Sequence, residues 1–201
     1  TALSSSAAAS SGAVKLWPVD FTLESYRFVT DKPEFMRSFW ISVKRVLVGV
    51  PVSMLLTILI AYPLSLEGKL KGRKLYVVFF LITMLFSGGM VPSFLLIRSL
   101  DLMNTRWSVI LSCLLSTYYV VLVTNFIRSL PGSLLESARL DGASEATILV
   151  RIVLPLSKPI LATIALFYAV DKWNEWWNSM LYINRMEMYP LQLILQNIIN
   201  T

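Results

Sequence analysis

Few residues in this chain could do chemistry, and their types narrow the options quickly. There is no histidine, and the single cysteine, Cys113, lies in an apolar run. An intrachain disulfide is impossible, and the common imidazole- or thiolate-based metal sites are not expected. No nucleophile–base pair and no cluster of intramembrane carboxylates can be read from the order of residues. No GxxxxGK[ST] phosphate loop occurs, because the run from Gly68 to Gly72 is too short and lacks the Lys-Ser/Thr ending. The chain is therefore not expected to be an enzyme, to hydrolyse ATP or to hold a cofactor or metal of its own. The charged groups with informative spacing are Glu136, Arg139 and Asp141, in the one long polar interval of the second half, Arg128–Pro159. The chemistry open to such groups is that of contact: ion pairs and hydrogen bonds.

The elements that must position them are short. Pro131 breaks whatever helix precedes it. Ser133 to Leu140 is rich in helix formers, with Leu134, Leu135, Ala138 and Leu140 able to share a side. Asp141-Gly142 signals a turn, and glycine takes a left-handed conformation at little cost. Ala143 to Leu154 then places Ile148, Leu149, Ile152 and Val153 near one helical face, and Pro155 is expected to stop that run. The expectation is a short helix, a tight glycine corner, a second short helix and a proline.

That pattern resembles the EAA loop of ATP-binding cassette (ABC) importer permeases. The family consensus is Glu-Ala-Ala, three residues, Gly, nine residues, Ile-x-Leu-Pro. Here it reads Glu136-Ser137-Ala138, Asp141-Gly142-Ala143, then Ile152, Leu154 and Pro155. The one departure is Ser137, still small, for the middle alanine. Further stretches resemble the carbohydrate-uptake, maltose-type branch: Ala61-Tyr62-Pro63-Leu64-Ser65, Phe86-Ser87-Gly88-Gly89, Pro155-Leu156-Ser157-Lys158-Pro159-Ile160-Leu161 and Trp173-Asn174. The likeness runs from about Trp17 to the C-terminus.

Composition points the same way. Of 201 residues, 56% are hydrophobic and only 15% charged, whereas soluble domains carry about 25%; mean hydropathy is +0.65. The net charge of +6 sits in short loops between apolar runs, so topology explains it better than nucleic-acid binding. Val46–Leu66, Leu75–Ile97 and Trp107–Ile127 are uncharged runs as long as the ~20 residues a membrane crossing needs. Pro51 and Pro63 should kink the first or mark its ends. Ser87-Gly88-Gly89 and Pro92 break the second, by a packing kink or by a bend lining a pathway. A fourth span, with Pro159 in its first turn, runs from about Ile160 past Val170. The fold class expected is an all-α integral-membrane bundle of the type I importer permease kind. Four or more spans are present, and the first and last are expected to be missing, since the chain starts at Thr1 and ends inside an apolar-periodic run.

Residues 1–45 are expected outside the cytoplasm, and residues 46–201 form the permease domain with its loop at 128–159. Thr1–Gly12 reads as a Ser/Ala linker or the tail of a truncated helix. Phe21–Tyr26 reads as a short amphipathic helix capped by Thr22. The loops Glu67–Lys74 and Arg128–Lys158 share a side and hold most of the loop bases (Lys69, Lys71, Arg73, Lys74, Arg128, Arg139, Arg151, Lys158), which puts them in the cytoplasm. Arg37, Lys44 and Arg45 then fall outside, against the rule.

The resemblance implies a multi-pass permease subunit of the bacterial plasma membrane. It would work with a second permease, two ABC ATPases that bind the ATP, and an extracellular solute-binding protein. The cargo implied is a carbohydrate, an oligosaccharide above all. The alternatives are the same machine for another solute, such as phosphate or polyamine, or a membrane scaffold or channel with no ATPase. ATPase coupling would fall to Glu136, Ser137, Ala138, Arg139, Asp141, Gly142, Ala143, Ile152, Leu154 and Pro155, with Leu134, Leu135, Ala138 and Ile148 burying against the partner or against the chain's own helix ends. The plain alternatives are that Glu136 complements a helix dipole and that Gly142 only makes a turn. Gly88, Gly89 and Asn174 are candidates for the solute pathway. Trp173, Trp176 and Trp177 read as an interfacial belt rather than sugar-stacking platforms. Asp171 and Glu175, one helical turn apart, read as charges solvated at that interface.

Overall fold

The structure is a computed structural model that describes residue 22, residues 33–66 and residues 70–199. It is all-helical over those residues. The linker at Thr1–Gly12 and the helix expected at Phe21–Tyr26 lie outside them, apart from Thr22.

Helix α1 (Pro33–Ser65) is the axis of the fold. It starts well before Val46 and runs through both Pro51 and Pro63. At 33 residues it is about 50 Å long, against a hydrocarbon core of ~30 Å. One stripe of α1 is buried and almost all small: Ser38, Ser42, Arg45, Gly49, Ser53, Thr57, Ala61 and Ser65. Steps of four, with one of three, place these residues in a single row, and small side chains let neighbouring backbones come close where lipid supplies no hydrophobic drive. Helices α5 (Thr117–Arg128) and α8 (Lys158–Asn174) fill that seam.

The second expected span is not a through helix. It is α2 (Arg73–Leu85) and α3 (Met90–Ser99), set at 113° across the break at Phe86–Gly89. Gly89 sits at φ 87°, and Pro92 falls in the first turn of α3, where its missing N–H costs nothing. The third expected span is also broken, into α4 (Arg106–Ser112) and α5, with a 50° bend. Nothing in its uncharged run signals that break. The backbone groups it frees are taken up by α8: the Lys172 ammonium donates to the Cys113 carbonyl at 2.8 Å, and the Ser116 N–H donates to the Tyr168 hydroxyl at 3.1 Å. Irregular backbone at membrane depth survives only with such partners.

After α5 come α6 (Gly132–Leu140) and α7 (Glu145–Leu156), then α8, α9 (Trp177–Tyr182) and α10 (Leu191–Ile199). Pro155 does not stop α7, which ends one residue later before an 80° turn into α8. Pro155 lacks an N–H for the Arg151 carbonyl, and the preceding residues Leu149–Val153 widen into a π-turn that accommodates it. The apolar core is shared by Ala61, Tyr62 and Leu64 of α1, Val120, Val123 and Ile127 of α5, Ile148 and Val153 of α7, and Ile164 and Tyr168 of α8. The C-terminal end of α1 therefore lies against the polar loop. Its N-terminal half lies against α9 and α10, where Ser42 Oγ accepts from the Leu191 N–H at 3.0 Å. The loop between α3 and α4 joins that opposite side, with the Asn104 N–H donating to the Tyr182 carbonyl at 2.9 Å. The loop between α3 and α4 and the polar loop thus lie at opposite ends of the bundle.

Candidate functional site: a helical corner at the end of the bundle

The corner between α6 and α7 is a Schellman turn. The Ala143 N–H reaches the Ala138 carbonyl and the Gly142 N–H the Arg139 carbonyl, both at 3.0 Å. Such a turn needs a left-handed residue after the helix, and Gly142 supplies it at φ 79°. A Cβ at Gly142 would meet nothing within 4 Å, so the requirement is backbone conformation rather than space. Ser144 caps α7 by accepting from the Thr147 N–H at 3.2 Å.

The expected residues divide by exposure. Glu136, Ser137, Asp141, Gly142 and Pro155 are exposed; Ala138, Arg139, Ala143, Ile152 and Leu154 are half-buried. Of the apolar face expected to bury, Ile148 is fully enclosed, and Leu135 and Ala138 pack against the same core. Leu134 instead faces out, as do Val150, Leu156 and Leu140, which is 89% exposed. These side chains and Glu136 project from the corner. At its root lies a cleft of about 630 Å³ lined by Ser65, Asn125, Arg128, Leu135, Glu136 and Arg139 among others. Glu136 is mid-helix in α6, away from the first turn, which disfavours the plain dipole account.

Two residues that matter here were not legible in advance. Glu145 takes Arg139 Nε at 3.0 Å and Nη2 at 3.4 Å across the corner, and the Tyr62 hydroxyl at 2.5 Å. Its hydrogen bond raises the Arg139 guanidinium above its ordinary value. A pair six residues apart across a turn has no helical periodicity to reveal it. Tyr62 entered the sequence reading only as part of the stretch Ala61-Tyr62-Pro63-Leu64-Ser65, with no role of its own.

The pathway candidates do not come together. Gly89 lines a cleft of about 530 Å³ with Ser87, Ser93, Asn178 and Tyr182, while Asn174 lines a separate one of about 390 Å³ with Ser116, Tyr168, Asp171 and Glu175. Gly88 is exposed at the same bend as Gly89. The reading of Asp171 and Glu175 as equally solvated charges is corrected. Asp171 is exposed and accepts from the Tyr119 hydroxyl at 2.7 Å. Glu175 is tucked in, pairing with Arg45 at 3.4 Å. Arg45 also donates to Ser179 Oγ at 2.9 Å and the Glu175 carbonyl at 2.8 Å. One exception to the charge rule thus resolves: Arg45 is a buried internal partner, not a loop charge. Trp173 packs edge-on against Phe39 of α1, with ring centroids 6.0 Å apart, which makes it a helix–helix contact.

Comparison with known proteins places this architecture. The chain is 42% identical over 183 residues to protein LplC of Bacillus subtilis, covering 91% of this chain and 62% of that protein. It is 40% identical over 184 residues to the polygalacturonan/rhamnogalacturonan transport system permease protein YtcP of the same organism, covering 92% and 64%. It thus spans under two thirds of the length of these relatives. A crystal structure of a bacterial ABC transporter involved in the import of the acidic polysaccharide alginate superposes with a TM-score of 0.93 at 33% identity, over 98% of this chain and 70% of that one. Residues 42–176 match the family of binding-protein-dependent transport system inner membrane components, and with that match over most of its length the chain belongs to this multi-pass membrane family.

Proposed function

We propose that this chain is the core of a permease subunit of an ABC importer that moves an oligosaccharide or polysaccharide fragment across the bacterial plasma membrane. The observation that carries this is the corner itself. Two short helices are held at a fixed angle by a Schellman glycine, with exposed Leu134, Leu140 and Val150 beside Glu136 and Arg139. An apolar ridge flanked by charge fits a groove in a partner. The partner is an ABC ATPase, two of which, closing on ATP, swing such loops and exchange outward for inward access. A second permease and an extracellular solute-binding protein complete the assembly. The carbohydrate cargo rests on the relatives: one is named for polygalacturonan and rhamnogalacturonan, and the superposed structure for alginate. We assign residues 1–45 to the extracytoplasmic approach; α1, at 33 residues, is long enough to reach beyond the bilayer core on that side. Asn174, with Tyr168 and Ser116 around it, supports a pathway role better than Gly88 and Gly89 do.

The test is the ATPase activity of the full-length complex, reconstituted with its binding protein, across a panel of neutral and uronic-acid oligosaccharides. Stimulation by one saccharide, abolished by Glu136→Lys, is the expected result. Stimulation only by a non-sugar solute overturns the carbohydrate assignment. Failure of any ATPase to copurify with the intact permease overturns the importer reading.

A further inference from the structure

We infer that Tyr62, acting through the Glu145 carboxylate, is the point at which displacement of the α6–α7 corner enters α1. The inference rests on the importer reading above and identifies a positioning residue within it.

The corner has three mechanical outlets. Two are covalent: Pro131 joins it to α5, and Ser157 joins it to α8. Helix α1 has no covalent link to the corner, yet it is the element against which both α5 and α8 pack. Motion must reach it through side chains. Among the described residues, α1 reaches the corner by a hydrogen bond from the Tyr62 hydroxyl, and it goes to a carboxylate, which makes the bond charge-assisted. That carboxylate is in turn held by Arg139 of α6. Glu145 Oε2 is shared between Tyr62 and Arg139 Nη2, so one oxygen joins α1, α6 and α7.

The geometry around Tyr62 favours transmission over slack. Tyr62 is 5% exposed and belongs to the core cluster with Ile148 and Val153 of α7, so the ring is clamped and its hydroxyl cannot follow Glu145 without the helix. The end of α1 is itself tied: Arg73 Nε donates to the Leu64 carbonyl at 2.7 Å, and Ser65 Oγ to the Tyr62 carbonyl at 2.6 Å. Glu145, by contrast, is 43% exposed at the side chain, so the node can rearrange without stranding a buried charge.

A distance measurement tests this without knowing the cargo. In a Cys113→Ser background, spin labels go on Leu140→Cys, at the tip of the corner, and Leu55→Cys, on the exposed face of α1. The full-length complex is compared without nucleotide and after trapping with ATP and vanadate. In the otherwise unaltered protein, the corner and α1 move together and the separation stays constant. In Tyr62→Phe the corner moves without α1 and the separation changes on trapping. Glu145→Gln does the same, and the double variant shows no larger change, since both remove one link. A Tyr62→Phe complex that traps nucleotide and keeps the constant separation overturns the inference while leaving the importer reading intact. A complex that carries no ATPase, or traps no nucleotide, overturns the importer reading and this inference with it.

Discussion

Two Arg–Glu pairs hold opposite halves of α1, and they are built differently. Arg45–Glu175, in the half facing away from the corner, has side chains 8% and 11% exposed; Arg139–Glu145, at the corner, has 25% and 43%. The first sits in the small-residue seam, with Ser179 and the Glu175 carbonyl also accepting from the guanidinium. The second bridges a turn and reaches α1 through a tyrosine. The difference is one of rearrangement cost. Separating a buried pair leaves an uncompensated charge in a low-dielectric interior, whereas an exposed pair is re-solvated as it opens. One half of α1 is suited to stay assembled and the other to be pushed.

The largest effect that could break this comparison is at Glu175. Glu175→Ala should destabilise the detergent-purified full-length protein by about 3–5 kcal/mol, because it strands Arg45. Glu145→Ala, in the same unfolding assay, should cost less, about 1–3 kcal/mol, chiefly from the buried Tyr62 hydroxyl losing its acceptor rather than from the part-exposed ion pair. Equal losses would show the two pairs to be alike after all. A smaller effect is expected at Gly49, where an added Cβ would stand 2.7 Å from Lys172 Cδ. Gly49→Val should cost about 1–3 kcal/mol by overpacking. It should also displace the Lys172 ammonium from the Cys113 carbonyl, loosening the bend between α4 and α5, which hydrogen exchange at residues 113–117 would register. The smallest effect sharpens the contrast. Between 0.1 M and 1 M salt the screening length falls from about 10 Å to about 3 Å. The stability difference between Arg139→Gln and the unaltered protein should shrink over that range, while the Glu175→Ala difference stays constant.

The corner was the most legible part of the chain because its determinants are local. Propensity, a glycine at a fixed offset and Pro131 specify helix, turn and helix without reference to anything distant, and the Schellman hydrogen bonds at Gly142 follow from that order; Pro155, expected to stop the second helix, is absorbed by it. The apolar runs were legible for the same reason, since length and lack of charge are local properties. The breaks were less so. Ser87-Gly88-Gly89 announced a bend but not its size of 113°. The break at Cys113–Ser116 carried no signal, because what permits it is the distant side chains Tyr168 and Lys172. Asp171 and Glu175 looked equivalent at one helical turn apart, and only the neighbouring helices separate them, one meeting Tyr119 and the other Arg45.

By itself the sequence determined that this is a membrane-spanning helical chain with a corner of two short helices about a glycine turn, because hydropathy, turn chemistry and motif spacing are written residue by residue. The tertiary structure decided which polar groups meet. Lys172 with the Cys113 carbonyl, Arg45 with Glu175, and Tyr62 with Glu145 lie between 59 and 130 residues apart. In a medium that offers no water, each buried polar group must find its partner wherever the packing of helices brings one.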